Sequence, residues 1–286
     1  HFHKAAEACF VSQSTLSSAI IKLEQLFKCQ LIEREHKHFV FTAHGKAVVE
    51  LAETLINNAS ELVAFSQSQG KANKGQIYLG CIPTIAPFLL TDVLTVCKQT
   101  LPDIELFVRE APTDTLLMQL ESGAIDIAIL ALPLDSKKLV NFKQTTLGND
   151  EFFLVGEEAL VNQVIKDGHY KSIPDESVFL LTDEHCLTDH ALSACKLVDK
   201  HKINPFTATS VATLLQMTIH HGGITFLPEM AINQGVAGNE YLTIGNFKNN
   251  PSRQIAMLER KASIRSETFK LLANVINDYF QKKAAN

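Results

Sequence analysis

Two cysteines in the second half of the chain, Cys186 and Cys195, have the residue type and spacing that point most directly to chemistry. A thiolate is a nucleophile that attacks oxidants, whereas a buried thiol in apolar surroundings is an inert packing group. If Thr188 or Asp189 caps a helix that runs through Lys200, Cys186 precedes the helix N-terminus, where exposed N–H groups lower a thiol pKa. The sequence therefore predicts a reactive Cys186, with two ordinary helix-packing cysteines as the alternative.

The other cysteines are predicted to be reduced packing residues, because they lie in apolar or helical contexts. They are Cys9, Cys29, Cys81 and Cys97. Six cysteines in 286 residues are too few for a secreted disulfide scaffold, and no C-x-x-C pair indicates a zinc site. The sequence predicts neither a bound metal nor an organic cofactor.

The bulk composition is typical of a soluble protein with two compact units. Of the 286 residues, 46% are hydrophobic and 20% are charged. No apolar run approaches the roughly 20 residues that a membrane-spanning helix needs, and no secretory signal opens the chain. We therefore expect a cytoplasmic protein without membrane contact. Because the chain starts at His1 and its first helical signal begins immediately, we also expect that an N-terminal helix is missing upstream.

The formal net charge of −5 hides a difference between the two ends of the chain. Residues 1–46 carry six lysine and arginine residues against four carboxylates, together with five histidines. This segment is net positive and the remainder is net negative, so a polyanion such as DNA is expected to bind at the N-terminal end.

The first elements have the pattern of a helix-turn-helix. A short first helix is followed by a turn and by Ser12, the predicted N-cap of a second helix that extends to Phe27. Leu16, Ile20 and Leu23 repeat on one side of that helix, and small polar residues occupy the other side. Such a polar face suits the major groove of DNA, although a solvated surface helix would have the same pattern.

Two short strands and a long helix are predicted next. The strands, at residues 31–34 and 38–42, would form the wing of a winged helix-turn-helix. The long helix begins at residue 43, and its apolar residues repeat every seven positions, which is typical of a helix that pairs with a second copy of itself. The repeating residues are Val48, Leu55 and Leu62. A polar, glycine-containing stretch then continues to residue 75 and forms a hinge.

Beyond residue 76 the pattern changes to alternating strands and helices. This order predicts a mostly parallel sheet flanked by helices. We expect two α/β lobes of periplasmic-binding-protein type, joined by crossover strands, with a ligand cleft between them. The first lobe is assigned to residues 76–150 and 254–286, and the second lobe to residues 151–253.

Several motifs, taken in order, resemble those of LysR-type transcriptional regulators. They are Ala5-Ala6, Val11 to Ser17, Leu23-Glu24, Leu31 to Arg34, Phe41 to Gly45, Ser122 to Ile129 and Gly223 to Pro228. The resemblance covers nearly the whole chain and implies a regulator, not an enzyme. It implies a winged helix-turn-helix DNA-binding domain over residues 1–46, a dimerisation helix and hinge over 43–75, and an effector domain over 76–286.

The resemblance also implies how the N-terminal domain meets DNA. The residues expected to contact promoter DNA with dyad half-sites are Ser12, Gln13, Ser14, Thr15, Ser17, Lys22 and Arg34. The family often has proline at the position of Ser14 and a basic residue at that of Ile21, so the DNA affinity of this chain is expected to be lower. The other implied partners are RNA polymerase and further copies of the chain, in a dimer of dimers.

The segment from His185 to Asp189, followed by Cys195, narrows the resemblance to the peroxide-sensing members of the family. It implies that hydrogen peroxide oxidises Cys186 to a sulfenic acid, which condenses with Cys195, and that a glutaredoxin or thioredoxin type of reductant restores the thiols. Nine helical steps rise ~13.5 Å, whereas bonded cysteines have Cα atoms roughly 4.4–6.8 Å apart. On a continuous helix, the disulfide would therefore require the intervening segment to unwind.

By the same resemblance, Thr84, Thr113, His185 and Arg253 form a peroxide pocket. Each threonine would place a hydroxyl beside bound peroxide, and Arg253 would oppose the thiolate charge. Simpler roles remain open, namely helix capping for the threonines, a surface ion pair for Arg253 and a structural role for His185. Glu184 departs from the family pattern, which commonly has glycine there, and an adjacent carboxylate raises a thiol pKa.

Three other functions remain as alternatives. A LysR-type regulator could instead bind a metabolite between the lobes, with the cysteine pair incidental. A thiol peroxidase would share the Cys186 chemistry but with rapid turnover, and a transport-type solute-binding protein also has two α/β lobes. The helix-turn-helix pattern argues against the last two.

Overall fold

The chain forms a small, mainly helical unit followed by a larger α/β unit. The structure is a computed structural model that describes residues 2–33, 40–67, 72–182, 186–194, 197, 199–248 and 250–284. The first unit ends at Glu61 and the second begins at Leu62.

The helix-turn-helix, the ribbon and the long helix that the sequence predicts are present at the start of the chain. The elements are α1 (Phe2–Ala8), α2 (Gln13–Phe27), β1 (Ile32–Glu33), β2 (Val40–Phe41) and α3 (Ala43–Gln67). The two strands pair antiparallel. Both are shorter than predicted, but the order and the position of every element are confirmed.

Side-chain hydrogen bonds near both ends of α2 fix its place in this unit. Ser12 caps α2 as predicted, because its Oγ accepts a hydrogen bond from the backbone N–H of Thr15 at 3.1 Å. Glu24 Oε1 accepts from the backbone N–H groups of Leu31 and Ile32 at 2.9 and 3.2 Å. Glu24 therefore ties the start of the ribbon to α2.

Gly45 shows why the Phe41 to Gly45 motif ends in glycine. A Cβ atom at this position would lie 2.0 Å from the carbonyl oxygen of Leu31, well inside van der Waals contact. The Thr42 hydroxyl accepts from the Gly45 N–H at 2.9 Å and donates to the Gln30 carbonyl at 2.7 Å. Any side chain at residue 45 would push α3 away from the segment that leads into β1.

A mixed sheet is the centre of the second unit. Its strands are β3 (Gly75–Cys81), β4 (Ile104–Glu110), β5 (Ile127–Leu132), β6 (Phe142–Gly156), β7 (Val178–Leu181), β8 (Ile203–Ala208), β9 (Ile224–Pro228), β10 (Thr243–Gly245) and β11 (Ser252–Arg260). In the described part of the chain, their order is β4-β3-β5-β11-β6-β9-β7-β8, with β10 paired to β6.

Helices connect these strands. They are α4 (Ala86–Thr100), α5 (Thr113–Ser122), α6 (Ser136–Leu139), α7 (Glu158–Asp167), α8 (Cys186–Ala194), α9 (Val211–His221), α10 (Glu229–Asn233) and α11 (Ser266–Ala284). The described ranges contain no helix that is long and apolar enough to cross a membrane.

The predicted mostly parallel sheet is wrong at its centre. β3 pairs parallel with β4 and β5, and β7 pairs parallel with β8 and β9. By contrast, β11 pairs antiparallel with β5 and β6, and β6 pairs antiparallel with β9. The reason is that β6 and β11 carry the chain from one half of the sheet to the other and back. Two α/β lobes therefore share a pair of crossing strands.

The sequence pattern did not predict the first half of β6. An apolar run indicated a strand at residues 151–155, whereas β6 spans Phe142–Gly156. The predicted lobe boundary at residues 150 and 151 falls inside this strand. Because β6 is continuous, the side chains at its middle lie at the junction of the two lobes.

Candidate functional site

The predicted redox segment lies after β7 and in α8. This helix begins at Cys186 and ends at Ala194. Of Cys186, only the backbone is described, and it occupies the first position of the helix. His185 and Cys195, predicted to act with Cys186, lie outside the described residues, as does Arg34 of the predicted DNA-binding set.

The prediction that Thr188 or Asp189 caps this helix is wrong. Both residues lie inside α8, and the buried Thr188 hydroxyl donates to the carbonyl of Leu181 at 2.9 Å. The helix also does not run through Lys200, because Asp199 caps a separate 3₁₀ turn at Lys200–Lys202. Thr188 therefore holds the first turns of α8 to the end of β7.

Arg253 and Thr84, two predicted pocket residues, are in direct contact. Arg253 lies on β11 and is 1% exposed. Its Nη1 donates to Oγ1 of Thr84 at 3.0 Å, and its Nη2 donates to the Thr84 carbonyl at 2.9 Å. The structure thus brings the loop after β3 together with a strand from near the end of the chain.

Asp150, which the sequence analysis did not identify, balances the charge of Arg253. Asp150 Oδ2 accepts from Nε and Nη2 of Arg253 at 3.0 and 2.9 Å, and both side chains are fully buried. Asp150 Oδ1 accepts from the backbone N–H of Met230 at 3.0 Å. A surface ion pair, the simpler role considered for Arg253, is therefore excluded.

Helix capping does not explain the two predicted threonines. The N-cap positions of α4 and α5 belong to other residues, and neither helix has a side-chain cap bond. Thr84 and Thr113 are nevertheless buried, with 2% and 4% exposure. Their segments adjoin, because the N–H of Ala111 donates to the Cys81 carbonyl at 3.3 Å.

His190 is a buried histidine on α8 that the sequence analysis did not single out. It is 8% exposed, and its Nε2 lies 3.0 Å from the carbonyl oxygen of Pro133. Its Nδ1 is buried without a hydrogen-bond partner among the described residues. Burial lowers the pKa of His190, and the bond to Pro133 opposes this with a smaller effect. The ring is therefore neutral at pH 7.

The packing interpretation of the other cysteines is confirmed for two of them. Cys81 and Cys97 are buried. Burial raises the pKa of the Cys81 thiol far above its usual value and that of Cys97 to about 11. The interpretation is wrong for Cys9, which is exposed, and Cys29 is only partly buried.

A cavity of about 280 Å³ opens beside Thr84. Its lining includes Phe88 of α4, Glu110 of β4, Leu181 of β7 and Ser210 at the start of α9. These elements belong to both halves of the sheet, so the cavity lies where the sequence predicted a ligand cleft.

Most residues of the predicted DNA-contact face are open to solvent. The exposed residues are Ser12, Gln13, Ser14, Thr15 and Lys22, and Ser17 is half-buried. Ser12 Oγ also lies 2.8 Å from the hydroxyl oxygens of both Ser14 and Thr15. Three hydroxyl groups thus cluster at the N-terminal end of α2.

The apolar repeat of α3 has leucines that the single chain leaves uncovered. Leu55 and Leu62 are 70% and 62% exposed, and Leu51 on the same helix is 72% exposed. Large apolar side chains that are exposed together on one helix are typical of an interaction surface.

The chain belongs to the LysR family of bacterial transcriptional regulators. Residues 1–46 match the family model described as bacterial regulatory helix-turn-helix protein, lysR family, and residues 70–281 match the model described as LysR substrate binding domain. It is a helix-turn-helix protein with a two-lobed α/β regulatory domain, and the predicted resemblance is confirmed.

Its relatives include regulators whose names refer to hydrogen peroxide and a regulator whose name does not. The chain is 36% identical to the HTH-type transcriptional regulator EstR of Acinetobacter baylyi, over 96% of this chain and 91% of that protein. It is 33% identical to the hydrogen peroxide-inducible genes activator of Haemophilus influenzae, over 97% of this chain and 91% of that protein.

Solved structures place the regulatory domain close to OxyR proteins. The reduced regulatory domain of OxyR2 from Vibrio vulnificus is 44% identical with a TM-score of 0.68, over 73% of this chain and 97% of that domain. A full-length OxyR variant from Pseudomonas aeruginosa shares the fold, with 24% identity and a TM-score of 0.72 over 96% of this chain and 89% of that one.

Proposed function

We propose that this chain is a peroxide-responsive transcriptional regulator of the OxyR type, switched by oxidation of Cys186 and a disulfide with Cys195. One observation carries the proposal. Cys186 occupies the first position of α8 in a regulatory domain 44% identical to that of OxyR2. The N-terminal turn of a helix stabilises a thiolate, the form of cysteine that attacks peroxide.

The chemistry uses two thiols and one peroxide molecule. The Cys186 thiolate attacks one oxygen of hydrogen peroxide, the O–O bond breaks, and the departing oxygen takes up a proton and leaves as water. Sulfur is thereby oxidised to a sulfenic acid. The Cys195 thiol then displaces the sulfenic hydroxyl, which forms the disulfide and releases a second water molecule.

Thr84, Thr113, His185 and Arg253 form the peroxide pocket in this proposal. The Thr84 hydroxyl accepts from Arg253, and its own proton has no acceptor among the described residues, so it is available for donation to peroxide. Arg253 orients Thr84, and its guanidinium, although paired with Asp150, would also oppose the thiolate charge.

The position of Cys186 is supported by the variants that were solved for OxyR2 of Vibrio vulnificus. One variant replaces a cysteine by serine, and another replaces a glutamate two residues earlier by glycine. In the regulatory domain of this chain, only Cys186 has a glutamate two residues before it, at Glu184. We therefore assign this pair to the two positions altered in OxyR2.

The signal would reach DNA through the N-terminal unit. We assign promoter contacts to the exposed face of α2 and to Arg34, and pairing of two chains to the exposed leucines of α3. A dimer of dimers would then contact dyad half-sites and RNA polymerase in the cytoplasm. A glutaredoxin or thioredoxin type of reductant would reset the disulfide.

Intact mass and thiol titration of the reduced full chain, before and after one equivalent of hydrogen peroxide, test the proposal. We expect the loss of two thiols and of two hydrogen atoms, with peptide mapping that joins Cys186 to Cys195. Cys186→Ser should abolish the reaction, and Cys195→Ser should stop it at the sulfenic acid. Cys9→Ser is the matched control, because Cys9 is an exposed thiol outside the proposed chemistry. Unchanged thiols in the wild-type chain would refute the proposal.

The cavity beside Thr84 supports a second candidate, a regulator that responds to a small metabolite. Its volume of about 280 Å³ is close to the lower limit for small-molecule pockets. This candidate predicts stoichiometric binding of a ligand and a response that survives Cys186→Ser. The thiol experiment and a promoter reporter with the same variant separate the two functions.

A further inference from the structure

The His190 side chain links α8 to the opposite half of the sheet. α8 follows β7, which lies beside β8 and β9, whereas Pro133 directly follows β5. The 3.0 Å contact between His190 Nε2 and the Pro133 carbonyl oxygen therefore joins the two lobes. It is separate from the bond by which Thr188 ties α8 to Leu181 of β7.

The contact with the Pro133 carbonyl determines which ring nitrogen of His190 carries the proton. A carbonyl oxygen only accepts, so His190 Nε2 carries a hydrogen and donates it. The other nitrogen, Nδ1, then has no proton in the neutral ring. It is buried without a hydrogen-bond partner among the described residues. A second proton would place a charged N–H group in this buried position, which is costly.

The charges around the ring also disfavour a second proton. β7 has no titratable side chain, and the charged residues of β11 are Arg253, Glu259 and Arg260. Of these, Arg253 acts on His190 and disfavours its cation, whereas the exposed Asp189 of α8 favours the cation more weakly. Burial outweighs both effects.

We propose that His190 is a positioning residue. Through its bond to the Pro133 carbonyl it holds α8 in the position that the helix has in the reduced protein, and protonation of His190 releases the helix. We call this contact the latch. Its importance for signalling rests on the proposed function, because the Cys186 to Cys195 disulfide must move or unwind the helix between the two residues. Holding α8 then opposes disulfide formation, and release favours it.

The direction of the pH effect follows from the two states of His190. In the docked helix its pKa is lowered, and in the released helix it is that of an ordinary histidine, about 6.5. The docked state is therefore favoured at neutral pH and loses stability as the pH falls below about 6.5. Between pH 7.5 and 5.5, one proton taken up on release shifts the equilibrium by up to about tenfold.

Hydrogen exchange of α8 in the reduced full chain tests the latch directly. After correction for intrinsic exchange rates, the opening equilibrium of residues 186–194 should rise from pH 7.5 to 5.5, by up to about tenfold. His190→Gln keeps an N–H donor for Pro133 but does not titrate, so its opening should stay constant over this range. His190→Ala should open α8 more than the wild type does at pH 7.5. An equal pH response in wild type and His190→Gln would overturn the proposal.

The redox equilibrium in a glutathione buffer gives a second, independent measurement. One disulfide exchanges with two glutathione thiols. From pH 7.5 to 5.5, the wild-type ratio of oxidised to reduced protein should rise more than that of His190→Gln, by up to about tenfold. Equal ratios would contradict the latch while leaving the peroxide sensor intact. If no Cys186 to Cys195 disulfide forms in either protein, the proposed function fails, and hydrogen exchange alone decides the latch.

Discussion

Arg253 donates to both the hydroxyl and the carbonyl oxygen of Thr84, at 3.0 and 2.9 Å, although 169 positions separate the two residues in the chain. Asp150 holds the guanidinium from its other edge. The bond from Nη1 uses an acceptor site of the Thr84 hydroxyl, and its proton has no acceptor within the described ranges. An arginine that orients a threonine can thus prepare a hydrogen-bond donor in a buried site.

Replacing Thr84 by valine should slow the oxidation of Cys186. Thr84→Val keeps the shape of the side chain but removes the hydroxyl that would donate to peroxide. One such donor contributes roughly 1.5 kcal/mol, so the rate constant should fall about tenfold. The measurement is stopped-flow or quenched thiol oxidation of the full chain under excess hydrogen peroxide.

Thr84→Ser is the control for this prediction, because serine keeps the hydroxyl and loses only a methyl group. Its oxidation rate should stay within about twofold of the wild type, because serine can donate the same hydrogen bond. A twofold change corresponds to only about 0.4 kcal/mol in the activation free energy. If valine and serine slow the reaction equally, the methyl packing of Thr84 matters and its hydroxyl does not.

The Arg253 to Asp150 pair should make a large contribution to the stability of the regulatory domain. Arg253→Met removes the guanidinium from the buried Asp150 carboxylate, and the loss of one member of a buried pair costs about 3–5 kcal/mol. Urea denaturation should show this loss in the free energy of unfolding. Lys138→Met is the control, because its ion pair with Asp114 is exposed and should change stability by less than about 1 kcal/mol.

A double variant that removes both charges distinguishes the contribution of the ion pair to stability from that of the other contacts of Arg253. Arg253→Met together with Asp150→Asn should recover part of the stability lost in Arg253→Met, because an amide is cheaper to bury than an unpaired carboxylate. No recovery would mean that contacts of Arg253 other than the ion pair carry its effect on stability.

The sequence could indicate Arg253 and Thr84 only through their resemblance to a family motif, and it could not indicate Asp150. Asp150 becomes visible once the register of β6 and β11 is known, because the two strands place Asp150 opposite Arg253. Register depends on pairing across about a hundred residues, and no local pattern encodes it. The role of His190 could not be predicted for a related reason, because its acceptor is the backbone carbonyl of Pro133, which is distant in the sequence.

Local signals predicted most of the helices and several strands, but not α7, β8 and β10. Ser12 as a cap and the apolar segments at β3, β4 and β9 are short-range features, and the structure has each of them. The sequence predicts the crossover strands between the lobes, but its mostly parallel pairing is wrong because β6 and β11 pair antiparallel with their neighbours. The predicted extent of α8 is wrong because Leu197 is not helical and Asp199 caps a separate 3₁₀ turn.

The six cysteines should differ sharply in their reaction with iodoacetamide in the native, reduced protein. Cys97, with a pKa of about 11, has about one thiolate in a thousand molecules at pH 8, and burial raises the pKa of Cys81 further. Both should stay unmodified until the protein is denatured, whereas the exposed Cys9 should react in the folded state. Mass spectrometry of the peptides gives the result, and rapid labelling of Cys81 in the folded protein would show that its burial is transient.

Two exposed residues of α2 should have different effects on DNA binding. If Gln13 contacts a base edge, Gln13→Ala should cost about 1–3 kcal/mol on an operator selected from random DNA and relax specificity at one base pair. Lys22→Gln should instead weaken binding to all sequences alike and reduce the slope of log affinity against log salt by about one, because one phosphate contact is lost. Lys270→Gln on α11 removes an exposed lysine from the other unit and should change neither quantity. Fluorescence anisotropy over a series of salt concentrations distinguishes the three variants, and an unchanged salt slope for Lys22→Gln would remove this residue from the interface.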